Sequence, residues 1–185
     1  DAAAQLFCRY GINAVGVDAV VSQAETAKAT LYKNFGSKEG LIAAVLEREG
    51  AAWRDWFIGG LLKGEAQPAQ RLARIFPLLG EWFVSERFYG CPFINALGEH
   101  DKKEVRYREI ALAHKRAVLD VIAGLAVAAG ATDGEALAHK LGLLMDGAIV
   151  AAMVTDTAAP AIMAAEMSAA MLAELPASGV VEYRS

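Results

Sequence analysis

Residues 17–35 read VDAVVSQAETAKATLYKNF and predict two short helices joined by a tight turn. The first helix has apolar side chains at i, i+3, i+4 and i+7, which share one helical face: Val17, Val20, Val21 and Ala24. The turn falls at 24–26, and Leu31 and Phe35 mark the inner face of the second helix. This spacing is typical of a helix-turn-helix, in which the second helix enters the major groove of DNA.

The outward face of the second helix predicts contacts with DNA. A helical wheel centred on Leu31 places six residues on or beside this face: Lys28, Ala29, Thr30, Tyr32, Lys33 and Asn34. Lysine suits guanine or phosphate, asparagine suits adenine, small methyl groups suit thymine, and tyrosine suits phosphate. Residues 27–38 contain three lysines and no acid, so this segment is positive although the chain carries a net charge of -4. An ordinary solvated pair of helices with exposed lysines is the alternative.

Helical periodicity continues along the rest of the chain, and no segment alternates like a β-strand. We predict an all-α fold of about nine helices, with an N-terminal three-helix helix-turn-helix domain over residues 1–48 and a C-terminal helical bundle over 49–185. The first helix stops at Gly11. Ser37 caps the fourth helix, which has Glu39 in its first turn and continues to about residue 62.

A break rich in glycine separates the fourth helix from the remainder: Gly59, Gly60, Gly64 and Pro68. Beyond it, periodicity predicts one amphipathic helix over 72–83, bent at Pro77 because proline interrupts the helical ladder. Four more helices follow, at about 90–97, 101–129, 135–154 and 160–175. The last two are rich in alanine, and Gly142 and Gly147 allow close approach of a neighbouring helix.

Cysteine content and hydropathy indicate a soluble, cytoplasmic protein. Cys8 and Cys91 lie in unrelated contexts, which excludes a disulfide framework or a zinc knuckle built from them. The two most apolar runs, 117–131 and 141–154, contain Asp120 and Asp146 and are shorter than the ~20 residues of a membrane span. Since the chain opens within an amphipathic pattern, we expect that a leader or basic arm could precede Asp1.

Catalytic and metal-binding patterns are absent from the sequence. It holds no nucleophile elbow, phosphate loop, HExxH motif or EF-hand. His100, His114 and His139 lie far apart, without the spacing of metal ligands. We therefore predict neither an enzyme nor a bound cofactor or metal. A helical enzyme and an all-helical scaffold are the other classes, but the former lacks a converging acid, base and nucleophile, and the latter leaves the lysine-bearing helix unexplained.

The N-terminal stretch LFCRYGINAVGVDAVVSQAETAKATLYKNFGSKEGLIAAVL resembles the DNA-binding domain of the TetR family of bacterial transcriptional repressors. The resemblance covers roughly residues 1–48 and rests on a family core of threonine, leucine, tyrosine, phenylalanine, serine and lysine, present here as Thr30, Leu31, Tyr32, Phe35, Ser37 and Lys38. It implies that Thr30 and Tyr32 contact phosphates and that Lys38 contacts the DNA backbone. Base reading is then expected from Lys28, Ala29, Lys33 and Asn34, and Thr26 completes the predicted DNA-binding set.

The turn departs from the family pattern. Where the family usually has glycine, valine and serine, this chain has Glu25, Thr26 and Ala27. Glu25 is expected to adopt a left-handed conformation without the freedom of glycine, at a cost of about 1 kcal/mol. Thr26 is expected to replace the missing serine as the helix cap.

The resemblance also implies a homodimer, a palindromic operator and release by a small, mostly apolar effector. The last two long helices are expected to form a four-helix interface with a partner chain. Residues 90–99, GCPFINALGE, resemble a segment found in the ligand-binding domain of one subset of the family. Aromatic and polar residues are the candidates for an effector site, with plain core packing as the alternative for each: Trp53, Trp56, Phe57, Trp82, Phe83, Phe93, Asn95, Tyr107, His114 and Met145.

Overall fold

Ten helices make up the part of the chain that the computed structural model describes, residues 1–100 and 105–176. They are α1 (Ala2–Tyr10), α2 (Val17–Gln23), α3 (Lys28–Phe35), α4 (Lys38–Leu62), α5 (Pro68–Leu72), α6 (Ile75–Phe83), α7 (Pro92–Glu99), α8 (Val105–Ala128), α9 (Gly134–Thr155) and α10 (Ala159–Leu172). The predicted all-α class is confirmed. The start predicted at about residue 101 for the long eighth helix lies outside the described residues.

Short polar contacts fix the ends of the N-terminal helices as the sequence predicts. Gly11 ends α1 with a φ of 84°, a conformation that glycine adopts without strain. The Ser37 hydroxyl accepts a hydrogen bond from the Gly40 N–H at 3.0 Å, which caps α4. At the other end of α4, the Arg74 guanidinium donates to the carbonyl of Leu61 in the last turn and to that of Lys63 just beyond the helix.

The predicted bend at Pro77 is wrong. Instead the chain divides into α5 and α6 at residues 73–74, and Pro77 is the third residue of α6. Proline lacks the N–H that would bond to the carbonyl four residues earlier, and its ring crowds that carbonyl. In the first turn of a helix this N–H has no intrahelical partner, so a helix that restarts at Ile75 accommodates Pro77 without a kink.

Contacts between Cα atoms divide the chain into two units. The first unit comprises Asp1–Asp55 and Tyr89–Lys115, and the second comprises Trp56–Phe88 and the chain from Arg116 onward. α7 therefore packs with the N-terminal helices, although it follows them by many residues. The functional boundary predicted near residue 48 remains a prediction.

The first unit is built on a small apolar core beneath α1, α2 and α3. Its buried residues include Phe7, Ile12, Val20, Leu31, Ile42 and Leu46. On the surface, the Gln23 side-chain amide donates to the Gln5 carbonyl oxygen at 2.9 Å and joins α2 to α1. Val20 and Leu31 are buried as predicted, and Val17 and Val21 are half-buried. The inward positions predicted for Ala24 and Phe35 are wrong: both are exposed, because they lie at the ends of their short helices, beyond the edge of this core.

The second unit packs α6, α9 and α10 closely, around buried residues that include Phe76, Leu79, Ile122 and Leu141. A Cβ added to Gly142 would lie 2.7 Å from a terminal methyl carbon of Leu119, so the close approach predicted there is confirmed. At Gly147 an added Cβ would meet none of the described residues within 4 Å, so close approach at that position stays a prediction. Among the described helices, α9 alone is long and apolar enough to cross a membrane. The same length and composition are found in core helices, and 39% of the most apolar 18-residue stretch of α9 is buried in the protein.

Candidate DNA-binding surface and effector site

The predicted DNA-binding residues form an exposed surface on α3 and its flanks. Leu31 is the buried residue of α3, and the other residues of the helix are exposed. Tyr32 is 46% exposed, and Lys38 at the start of α4 is partly exposed. The other predicted contacts are exposed as well: Thr26, Lys28, Ala29, Thr30, Lys33 and Asn34.

The turn before α3 adopts the conformation expected for Glu25. Its φ is 49°, in the left-handed region that disfavours side chains with a Cβ. The Thr26 N–H bonds to the Val21 carbonyl at 3.0 Å and closes the turn. This confirms that a glycine position of the family pattern is filled here by a strained glutamate.

The predicted capping role of Thr26 is wrong. The N-cap of α3 is Ala27, with φ −94° and ψ 147°, and no side chain caps the helix. The extended conformation of a cap residue is already taken by Ala27, whose methyl group cannot accept a hydrogen bond. The N-terminal N–H groups of α3 therefore have no side-chain acceptor and can donate to an external anion such as phosphate.

Lys28 forms an ion pair that the local sequence did not predict. Its Nζ lies 2.6 Å from Asp18 Oδ1, in the first turn of α2. The hydrogen bond to Asp18, and then the charge of Asp18, raise the pKa of Lys28. Residues 27–38 contain no acid, but α2 supplies one. Because both side chains are exposed and exposed ion pairs are weak, Asp18 holds Lys28 only loosely.

Two hydrogen bonds connect the α1–α2 loop to the end of α7. The Asn13 backbone N–H donates to Glu99 Oε2 at 2.8 Å, and the Asn13 side-chain amide donates to the Glu99 carbonyl at 2.6 Å. A third connection runs from α8, where the Tyr107 hydroxyl donates to the Glu39 carbonyl at 3.4 Å. The polar group of Tyr107 is therefore used to hold α8 against the start of α4.

Three of the candidate effector residues meet in the first unit, around His114. The Phe93 ring stacks on the His114 ring with a centroid distance of 4.3 Å, and the Trp53 ring lies 5.6 Å away at a tilt. Arg54, which the sequence did not indicate, lies with its Nη1 3.0 Å from His114 Nδ1. We call these four residues the His114 cluster: Trp53, Arg54, Phe93 and His114.

The protonation of His114 follows from its neighbours. The side chain is 7% exposed, and burial lowers its pKa to about 4, helped by the charges of Arg54 and Lys115. The imidazole is therefore neutral at pH 7. Because a guanidinium has donors only, Arg54 donates and Nδ1 accepts, which leaves the ring proton on Nε2.

Gly50 permits the close packing of the His114 cluster against α4. A Cβ there would lie 2.7 Å from Phe93 Cζ and 3.1 Å from His114 Nδ1. We expect Gly50→Ala to lower the free energy of unfolding by about 1–3 kcal/mol, because the ring or the helix must move. Gly59→Ala, in the same helix but with open space around it, should instead raise it by about 0.5–1 kcal/mol. Urea unfolding of both variants measures this; two changes of the same sign would contradict the packing.

The remaining candidates lie elsewhere. Asn95 donates to the Tyr89 carbonyl at 3.0 Å and lines a small cavity of about 20 Å³ in the first unit, with room for about one water molecule. The others belong to the second unit: Trp56, Phe57, Trp82, Phe83 and Met145. There Trp82 and Phe83 each lie 4.9 Å from the Phe88 ring, whereas Phe57 and Met145 are buried in the core. Among the described residues, no group of histidine, cysteine and acidic side chains could hold a metal ion.

Comparison with known proteins agrees with this architecture. Residues 1–45 match the model of the bacterial regulatory proteins of the tetR family. A TetR-family transcriptional regulator from Streptomyces coelicolor is 27% identical, with a TM-score of 0.84 over 94% of this chain and 92% of that one. No curated protein sequence matches the chain.

Two further solved structures are similar in fold. NemR of E. coli, in its reduced form, is 21% identical, with a TM-score of 0.82 over 97% of this chain and 95% of that one. A transcriptional regulator from Saccharomonospora viridis, solved in complex with choline, is 17% identical, with a TM-score of 0.73 over 94% of this chain and 92% of that one.

An N-terminal helix-turn-helix with an exposed reading helix, followed by a helical C-terminal region, defines a DNA-binding transcriptional regulator. Residues 1–45 carry the DNA-binding domain of the tetR family, and the chain as a whole has the fold of a TetR-family transcriptional regulator. Members of this family bind DNA and small ligands and are not enzymes.

Proposed function

We propose that this protein is a cytoplasmic repressor that binds a palindromic operator as a homodimer and is released by a small, mostly apolar effector. The observation that carries the proposal is the exposed surface of α3, with Lys28, Lys33 and Lys38 on or beside it. It supports contact with polyphosphate in a chain whose net charge is negative.

Phosphate and base contacts are divided among the residues of α3 and its flanks. Thr26, Thr30, Tyr32 and Lys38 contact the DNA backbone, together with the uncapped N–H groups at the start of α3. Base edges are read by the residues that enter the major groove: Lys28, Ala29, Lys33 and Asn34. Lys28 exchanges its pair with Asp18 for DNA on binding.

Two kinds of substitution separate these roles. Lys38→Ala removes a phosphate contact, so it should weaken all DNA sequences alike and reduce the dependence of log affinity on log salt concentration by about one. Lys33→Ala and Asn34→Ala should each cost about 1–3 kcal/mol on the best site and change the preferred bases. Affinity measured over a panel of duplexes at several salt concentrations tests this. Preference profiles that match the parent for both base-reading variants would contradict the assignment.

The homodimer is supported by an exposed apolar stripe on α9. Leu143, Gly147, Val150 and Val154 recur at i, i+4, i+7 and i+11, and all four are exposed. Gly147 has open space around it, so a partner helix can approach its backbone closely. On α10 the exposed residues include three large apolar side chains, Ile162, Met163 and Met167. A monomeric protein would leave this surface in water, and burial against a second copy removes that cost.

Effector control is proposed to act through α4. This helix starts beside α3 at Lys38 and continues past Trp53 to Trp56 and Phe57, so one element carries residues of both proposed sites. An effector that favours one tilt of α4 changes the separation of the two reading helices in the dimer, whereas half-site spacing in DNA is fixed. The coupling is limited to the difference in effector affinity between the two tilts, typically about 1–3 kcal/mol.

Effector binding and DNA binding are thermodynamically linked, so the proposed control can be tested from either side. If effector weakens DNA binding, operator DNA must weaken effector binding by the same factor, about 5–150-fold. Calorimetric titration of an effector into the free protein and into the operator complex measures both affinities. Equal affinities would leave a DNA-binding protein without effector control of this kind.

A further inference from the structure

Among the residues that the structure describes, Arg54 is a partly buried cation that forms no ion pair with an acidic side chain. Its guanidinium has five N–H donors, and the hydrogen bond that the structure gives it is the one to neutral His114. Both ion pairs recorded among the described residues lie elsewhere, at Lys28–Asp18 and Arg48–Asp1. Holding a charge partly away from water without a counter-charge costs free energy, and a bound anion would lower that cost.

Aromatic rings and a second cation lie beside His114, the hydrogen-bond partner of Arg54. None of the residues three or four positions away from Arg54, Phe93 or His114 is acidic. The Phe93 and Trp53 rings pack against His114, and Lys115 adds a second positive charge that acts on the same imidazole. Trp53 and Arg54 are both partly exposed, so a ligand can reach them from solvent.

We propose that Arg54 binds the carboxylate of the effector, whose apolar part lies against the partly exposed Trp53 ring. His114 is a positioning residue, because its Nδ1 accepts from one nitrogen of Arg54 and turns the remaining donors outward. A planar monoanion matches a single guanidinium fork in charge and geometry, whereas a phosphate dianion would exceed the charge that one fork neutralises. This inference rests on the proposed effector control and specifies the chemical class of its ligand.

Matched acids and amides test the proposal. Naphthalene-1-carboxylate, 4-phenylbutanoate and decanoate are each compared with the corresponding primary carboxamide by calorimetry at pH 7.5. We expect at least one acid to bind the parent protein tenfold or more tighter than its amide. Arg54→Gln should abolish this preference, with amide binding retained. Arg48→Gln, in the same helix but paired with Asp1, should keep it.

Other variants keep the test decisive. Arg54→Lys retains the charge but not the fork, so it should lower the preference at least threefold even if Arg54→Gln does not fold. His114→Gln retains an acceptor for Arg54 and should keep most of the preference, whereas His114→Leu should lose it. Equal binding of all acids and amides by the parent protein, no binding of any probe at millimolar concentration, or an unchanged preference in Arg54→Lys would overturn the proposal.

DNA release distinguishes this inference from the proposed function. If a preferred acid binds through Arg54 but the protein selects no DNA sequence, the carboxylate site stands and the repressor proposal fails. If operator DNA is bound and is released by the amides as well as by the acids, the repressor proposal stands and the role of Arg54 is overturned.

Discussion

The double substitution Leu143→Glu and Val154→Glu is expected to convert the protein to a monomer and to lower operator affinity by about a hundredfold or more. The two side chains are 76% and 75% exposed and lie at the two ends of the apolar stripe on α9. In a dimer they would be buried, where unpaired carboxylates are strongly unfavourable. A monomer binds only one half-site of the operator, so the binding free energy of the second half-site is lost.

Leu112→Glu is the matched control for this pair. Leu112 is also an exposed leucine in a helix, but it belongs to α8 in the first unit and is not part of the stripe. Sedimentation at micromolar concentration should show a dimer for the parent and for Leu112→Glu, and a monomer for the double variant. A parent protein that is monomeric with and without DNA, or a double variant that remains dimeric, would contradict the proposed interface.

A second large effect is expected in acid. Between pH 6.5 and pH 4 the parent protein should lose roughly 3 kcal/mol more unfolding free energy than His114→Gln. The pKa of His114 is lowered to about 4 in the folded protein, below the value of about 6.5 in the unfolded chain. As the pH falls, the unfolded chain therefore takes up the proton first. The contribution of neutral His114 is complete above about pH 6.5 and is lost as the pH falls towards 4.

Chemical denaturation across this pH range measures the difference. Glutamine retains a hydrogen-bond acceptor for Arg54 but does not titrate, so the variant isolates the proton-linked part. His139→Gln, at an exposed position of α9, should keep the pH dependence of the parent. If the unfolding free energies of the parent and of His114→Gln depended on pH in the same way, His114 would take up its proton as readily in the folded protein as in the unfolded chain, which would contradict this prediction.

The sequence predicted those features that depend on residues close together in the chain. Helical periodicity is local, so α1 to α4 and α7 to α10 agree with the predicted segments wherever the structure describes them. The left-handed turn at Glu25 was also predictable, because the family pattern has glycine there. The predicted bend at Pro77 was wrong because the local sequence does not show whether a helix continues through a proline or restarts just before it.

The unpredicted features involve residues far apart in sequence. Arg54 and His114 are separated by 60 positions, and Asn13 and Glu99 by 86. No periodicity indicates that α7 packs with the N-terminal helices, so neither the hydrogen bonds of Glu99 nor the His114 cluster could be foreseen. Lys28 and Asp18 are closer together in the sequence. Their ion pair nevertheless depends on how α2 and α3 cross, which cannot be predicted by counting the charges of residues 27–38.

Selection from a random-sequence duplex library tests the central claim most directly, that α3 reads an operator as part of a homodimer. The parent protein at moderate salt should enrich a two-fold symmetric sequence with half-sites about one helical turn apart or a little more. Lys33→Ala and Asn34→Ala should enrich altered half-sites, and Lys38→Ala the same half-sites with lower affinity. Enrichment of no sequence, or of one without two-fold symmetry, would contradict the account.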